Sequence, residues 1–163
     1  MRNKKKIIFS KFFSKYFIWS KSGRIILTYH SLNSNINNLT TNIYQLDPYL
    51  FIDHINYIKN NKFISRNFYD LYKSENGILL TFDDGYKNFL KKGMEKILEN
   101  NLNSIIFICP KLVKENNPHY LNEQDLKEIS KYKNIEIGSH SNDHVNLTNL
   151  NNKDLIHQLE SSK

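Results

Sequence analysis

Two adjacent carboxylates, Asp83 and Asp84, close the apolar run in ILLTFDDGYKNFL, residues 78–90. A second cluster, IEIGSHSNDHVNL, sets His140 and His144 four residues apart. Like charges side by side repel, and a nearby cation makes them tolerable. Two neutral imidazoles and one carboxylate form a donor set that suits a catalytic divalent metal and leaves positions open for water and substrate. On a helical turn, residues four apart can aim both imidazoles at one point. Taken alone, DDG also reads as an acidic turn that ends a strand, with one Asp capping the following helix at Asn88 or nearby. A His pair on the same sheet edge favours the metal site.

The elements that must position these residues alternate along the chain. RIILTYH, GILLTF, SIIFI and IEIGSH read as strands. Between and after them, DPYLFIDHINYIKNN carries Phe51, Ile55 and Ile58 at helical spacing, and RNFYDLYK, YKNFLKKGMEKILENN, NEQDLKEISKY and NKDLIHQLESSK also read as helices. Asn122 opens the fourth of these helices. Strands alternating with helices imply a parallel α/β sheet, whose ligands bind beyond the carboxyl ends of the strands. Both clusters fall there. Successive strand side chains point to opposite faces, so Asp83 and Asp84 can serve one site only where the strand bends, and Gly85 permits the bend. The Asn-rich tract NSNINNLTTN, residues 33–42, reads as polar loop, and no internal repeat or long linker is evident.

LLTFDDGY followed by GSHSNDH resembles the first two signature motifs of the polysaccharide deacetylases, the NodB-type carbohydrate esterases of family 4. FIDHINYIKNNKFIS and SIIFI are similar to the segments that surround the first motif, and the resemblance covers residues 24–163. It implies a distorted (β/α) barrel, with Asp83 as general base and Asp84, His140 and His144 as metal ligands. The metal implied is zinc, with cobalt, nickel or iron also compatible with two His and one Asp. The reaction implied is removal of N-acetyl groups from a glycan of N-acetylglucosamine type, which is hydrolysis of a non-peptide carbon–nitrogen bond. Such a reaction needs a polarised carbonyl, a base for the attacking water and a proton for the departing amine. Two adjacent Asp can divide the first two tasks.

For the third task the candidate is His30, in ILTYHSL at the end of the first strand. Its place is similar to the permuted order of the poly-N-acetylglucosamine deacetylases, where the acid His lies near the N-terminus. The other reading of His30 is a residue that hydrogen-bonds in the barrel mouth and supports the ligands. His54 and His157 read as helix-face residues, and His119 follows Pro118 in a loop. The family's third motif, an aromatic-proline segment, has no counterpart after residue 144, and neither have the last strands. The resemblance therefore implies a C-terminally truncated, partial barrel with an exposed edge and uncovered apolar surface. An inactive sugar-binding remnant or fragment, and another metal-dependent esterase acting for instance on phosphoesters, stand as alternatives to the deacetylase.

Charge and composition set the wider frame. The chain has 163 residues, 39% of them hydrophobic, enough for one domain with a core. Its net charge of +7 resides at one end: residues 1–24 carry eight basic side chains and no acid, and the remainder carries 15 basic and 16 acidic ones. A basic groove for nucleic acid on the folded part is therefore unsupported. Two regions are expected, a basic amphipathic segment at 1–22 and the deacetylase-like domain at 23–163. Ile8, Phe9, Phe12, Phe13, Tyr16, Phe17 and Trp19 share one helical arc, opposite most of the Lys and Ser. Lys11 and Lys15 interrupt the apolar run, so residues 7–21 suit a helix lying on an anionic membrane surface rather than a span. No cleavable signal peptide is evident, and a membrane-associated or exported place is the expectation. The single Cys109 reads as a buried small residue.

Overall fold

The computed structural model describes residues 23–33 and 44–163. The amphipathic segment and most of the Asn-rich tract lie outside these described residues. Four strands, β1 (Gly23–Tyr29), β4 (Asn76–Phe82), β5 (Ser104–Ile108) and β6 (Ile135–Ser139), form one parallel sheet in the order β1-β4-β5-β6. Each anticipated strand is present. The central β4 is buried on both faces from Gly77 to Phe82, as a continuous apolar run requires. At the sheet edge, β1 alternates instead: Arg24, Ile26 and Thr28 are exposed, whereas Ile25, Leu27 and Tyr29 turn inward.

Helix α1 (Pro48–Asn60) starts where the Asp47 side chain accepts the Tyr49 N–H and Pro48 sets the first turn. Its buried face is Phe51, Ile55 and Ile58, the spacing seen in the sequence. These residues pack with Ile97 of α3 (Glu95–Glu99) and Ile129 of α5 (Glu123–Ile129) on Ile78, Leu80, Phe82, Ile106 and Ile135 of the sheet. Tyr29, Phe51, Phe82 and Phe89 supply aromatic edge and stacking contacts at 4.7–5.8 Å inside this core. On the opposite sheet face a smaller cluster joins Leu79 and Ile105 to Leu71 of α2 (Phe68–Lys73). Ile26 and Ile137 remain substantially exposed, in keeping with the expected open sheet. Asn122 caps α5 in a reciprocal capping box with Asp125.

Three features depart from the sequence expectation. The helix expected from Tyr86 begins later, because Tyr86 is held in an isolated antiparallel bridge to Tyr120. It then passes through a π-helical turn, Leu90–Met94, before α3. Gly93 lies in that turn, where a Cβ would sit 3.0 Å from both Leu32 and Phe89, so the widened turn and the missing side chain go together. A short parallel pair, β2 (Ser31–Leu32) with β3 (Gln45–Leu46), and the one-turn helix α4 (Pro110–Lys114) complete the region near the strand ends. Elements this short carry no readable period. Among the described residues no helix is long and apolar enough to cross a membrane.

His54 lies on α1 with Nδ1 3.2 Å from the Tyr29 hydroxyl. Burial raises the Tyr29 pKa well above the ordinary value, so the hydroxyl stays protonated beside the ring. Burial lowers the His54 pKa below its usual 6.5, partly offset by the Asp53 carboxylate. The folded state thus resists a proton that the unfolded chain takes up as pH falls below about 6.5. Its contribution to stability is present above that pH and is lost as pH falls through the folded value. Urea midpoints measured from pH 7.5 to 5.5 should therefore fall less steeply for His54→Gln than for the parent. Equal slopes would remove His54 from the acid sensitivity.

Candidate metal centre

The strand carrying the two carboxylates bends at the point where both are needed. The Asp83 N–H still donates to Tyr29 O at 2.9 Å, continuing the sheet ladder by one residue. Asp84 and Gly85 then adopt successive left-handed conformations, φ 68° and 69°. Such a conformation is natural for glycine and costly for most other residues, although Asp is among those that tolerate it. Space at Gly85 is also tight, since a Cβ there would lie 3.1 Å from Ile108 Cγ2. Asp84 is 8% exposed, and its Oδ1 has no hydrogen-bond partner. The acidic turn is therefore not a helix cap. Asn88 instead ties β2 to the segment after β4: its Oδ1 accepts the Leu32 N–H at 3.1 Å and its Nδ2 donates to Ser31 Oγ at 2.7 Å.

The second cluster arrives at the end of β6. The His140 N–H donates to Ile108 O at 2.9 Å, which fixes the start of the loop against β5. His140 Nε2 lies 3.3 Å and His144 Nε2 3.0 Å from the same Asp84 Oδ1. The expected helical turn is absent. Instead Ser141 (φ 62°) and His144 (φ 58°) are left-handed, and the imidazoles come together with ring centroids 5.4 Å apart. The helical turn was only one way to satisfy a four-residue spacing, and the loop satisfies it by another route. The loop is fastened from both sides. Lys111 N–H donates to Asn142 O at 3.0 Å, and Gln158 Oε1 of α6 (Asn152–Glu160) accepts the Asn142 and Asp143 N–H groups at 3.1 and 3.3 Å.

These three residues could hold a cation. Their donor atoms lie within 4.8 Å of one another. The buried Asp84 Oδ1 makes no hydrogen bond, although two ring nitrogens lie beside it. A buried carboxylate oxygen without a donor is costly, and a cation between it and two neutral imidazoles would remove that cost. The 3.0 and 3.3 Å spacings approach the about 3.3 Å edge of a tetrahedron with ~2.0 Å bonds to N and O. The donor set and its spacing fit a zinc-type ion.

Asp83 and His30 flank this centre. His30 Nε2 lies 3.7 Å from Asp83 Oδ2, and the imidazole packs on Tyr44 with ring centroids 4.7 Å apart. The first strand and the first motif therefore bring their polar ends to one mouth. Cys109 is fully buried, with Sγ donating to His140 O at 3.1 Å, and burial, aided by the Asp84 charge, pushes the thiol up to about 11. Cys109 is not among the donors grouped about Asp84, and its full burial makes it the small buried residue expected. His54 is on a helix face, and His119 and His157 lie away from the Asp84 cluster. Asn88 and Gln158 were missed by the sequence reading. Asn88 stands four residues after Asp84, a spacing that could have drawn attention to it, whereas nothing local marks Gln158.

The model of the polysaccharide deacetylase family matches residues 71–163, more than half of the chain. This chain belongs to the polysaccharide deacetylase family. YxkH of Bacillus subtilis, whose name assigns it provisionally as a polysaccharide deacetylase, is 26% identical over 146 residues. That match covers 85% of this chain and 49% of YxkH, so the chain spans about half the length of that relative. Among solved structures, the Streptococcus pyogenes deacetylase PplD in complex with acetate superposes with a TM-score of 0.76 at 17% identity, covering 87% of this chain and 66% of PplD. A de-N-acetylase from Aggregatibacter actinomycetemcomitans gives 0.62 at 18% identity, covering 72% of this chain and 54% of its own. These likenesses establish the fold as a partial NodB-type barrel.

Proposed function

We propose that this deacetylase chain removes N-acetyl groups from a glycan with N-acetylglucosamine-type units, using a divalent metal, zinc foremost, held by Asp84, His140 and His144. The observation that carries the reading is the buried, unbonded Asp84 Oδ1 facing two imidazoles, with the Asp83–His30 pair beside it. When bound there, a zinc-type ion supplies Lewis-acid polarisation of the acetyl carbonyl and lowers the pKa of water. Asp83, outside the ligand cluster, keeps a carboxylate free to take the proton of the attacking water. His30 gives a proton to the sugar nitrogen as the carbon–nitrogen bond breaks, so that acetate and an amine leave. Tyr44 covers one face of His30 and restricts how its ring can turn. The likeness to a de-N-acetylase is what favours amide over ester chemistry in this reading.

The test is acetate release from N-acetylglucosamine oligomers by the 163-residue chain loaded with zinc, with a chelator-stripped sample as blank. Acetate and new amine in equal amounts, absent from the blank, are the expected result. Folded, zinc-loaded protein that releases no acetate but hydrolyses a phosphoester would move the reading to the alternative hydrolase. If neither substrate turns over, a glycan-binding remnant is the better description.

A further inference from the structure

Helix α6 buries the wrong residue for an ordinary amphipathic helix. Gln158 is 7% exposed, whereas Ile156 and Leu159 on the same helix are 53% and 49% exposed. Burying an amide in place of two aliphatic side chains forfeits hydrophobic stabilisation, so what the amide contacts must matter. Its Oε1 accepts two consecutive backbone N–H groups, those of Asn142 and Asp143, which lie between the two imidazoles of the metal loop. That loop contains two left-handed residues, Ser141 and His144, in a conformation that is strained for side chains other than glycine. A strained loop keeps its shape only when its surroundings over-determine it. On one side Lys111 does so, through its N–H to Asn142 O and its ammonium 3.4 Å from Asp143 Oδ2. On the other side the hydrogen bonds come from Gln158.

We infer that Gln158 is a positioning residue for the metal: it locks the His140–His144 loop into its ligating shape and thereby couples docking of α6 to metal binding. This inference rests on the metal reading above. Gln158 touches neither the metal position nor substrate, and acts by keeping the two imidazoles directed at Asp84 in the absence of the ion. Coupling is reciprocal, so if a docked α6 favours the ion, the ion must favour a docked α6. Removing the acceptor leaves two partly buried N–H groups without their partner, and the loop can then relax toward unstrained conformations that separate His144 from Asp84.

The experiment uses the full 163-residue chain, stripped of metal and titrated with zinc against a chromophoric chelator, with amide hydrogen exchange read alongside. Gln158→Leu, close to isosteric, should weaken zinc binding about 10–100-fold, the range typical for partners that orient metal ligands. In the parent, zinc should slow amide exchange in the loop and in α6 together; in Gln158→Leu the α6 response should disappear. Should that variant fail to fold, Gln158→Asn, whose amide is one methylene too short, takes its place. Leu155→Ala serves as a control that loosens α6 packing without touching the loop. Unchanged zinc affinity in Gln158→Leu, or an equal loss in Leu155→Ala at matched stability, overturns the inference. A parent chain that binds no zinc, or a His144→Ala chain that binds it as well as the parent, removes the metal reading itself and this inference with it.

Discussion

Asp84→Asn is expected to leave the chain folded and unable to retain a divalent metal through dialysis. Asn tolerates the left-handed backbone at this position, φ 68°, nearly as well as Asp, and its volume is the same. Alanine would add backbone strain to the loss of the ligand, which makes it the poorer test. The substitution replaces the one anionic donor that both imidazoles face, at 3.0 and 3.3 Å. Losing it should weaken zinc binding by more than the ~100-fold that marks the upper range for partners outside the ligand sphere. Acetate release should vanish with the metal. Stability of the metal-free chain should change little, because neutralising the buried carboxylate removes a desolvation cost that offsets the loss of its pairing with the two ring nitrogens. Elemental analysis after dialysis and chelator-treated melting curves read both quantities. Full metal content in the variant would remove Asp84 from the ligand set.

Asp83→Asn should do the reverse, keeping the metal and losing turnover. Asp83 Oδ2 is directed at His30, 3.7 Å away, rather than into the Asp84–His140–His144 cluster. An amide there cannot accept the proton of the attacking water, and loss of a general base typically costs about 10²–10⁴-fold in kcat. KM should change little, since the group acts in the transition state more than in substrate binding. Steady-state kinetics on N-acetylglucosamine oligomers with matched zinc content decides the matter. Undiminished turnover would dismiss Asp83 as the base, and loss of zinc would make it a ligand instead. The contrast between the neighbouring variants is the sharper observation: one carboxylate governs occupancy and the other governs rate.

Much of this architecture was legible because its signals are local. The parallel sheet followed from apolar runs alternating with helical periods, and the buried face of α1 from the spacing of Phe51, Ile55 and Ile58. Asn122 could be read as a helix start because a cap and its partner Asp125 are three residues apart. Asp83, Asp84, His140 and His144 stood out because two clusters of chemically capable residues each followed a strand. Their residue types and positions at strand ends are properties of short segments, and short segments are what a sequence displays.

Tertiary structure decided the rest. No local rule foretold that Ser141 and His144 would turn left-handed in place of a helical turn, because that strain is tolerated only where Lys111 and Gln158 hold the loop from other elements. The pairing of His30 with Asp83 joins residues from different strands and depends on β1 and β4 lying side by side in register, Tyr29 opposite Phe82. Gln158 was invisible for the same reason. Helical periodicity favours burying Ile156 and Leu159, whereas the buried amide is the one that accepts the Asn142 and Asp143 N–H groups of a distant loop. The sequence by itself determined which side chains could bind a cation and move protons, since that is a matter of chemical type. Their convergence on one oxygen of Asp84 depended on hydrogen bonds between segments far apart in the chain.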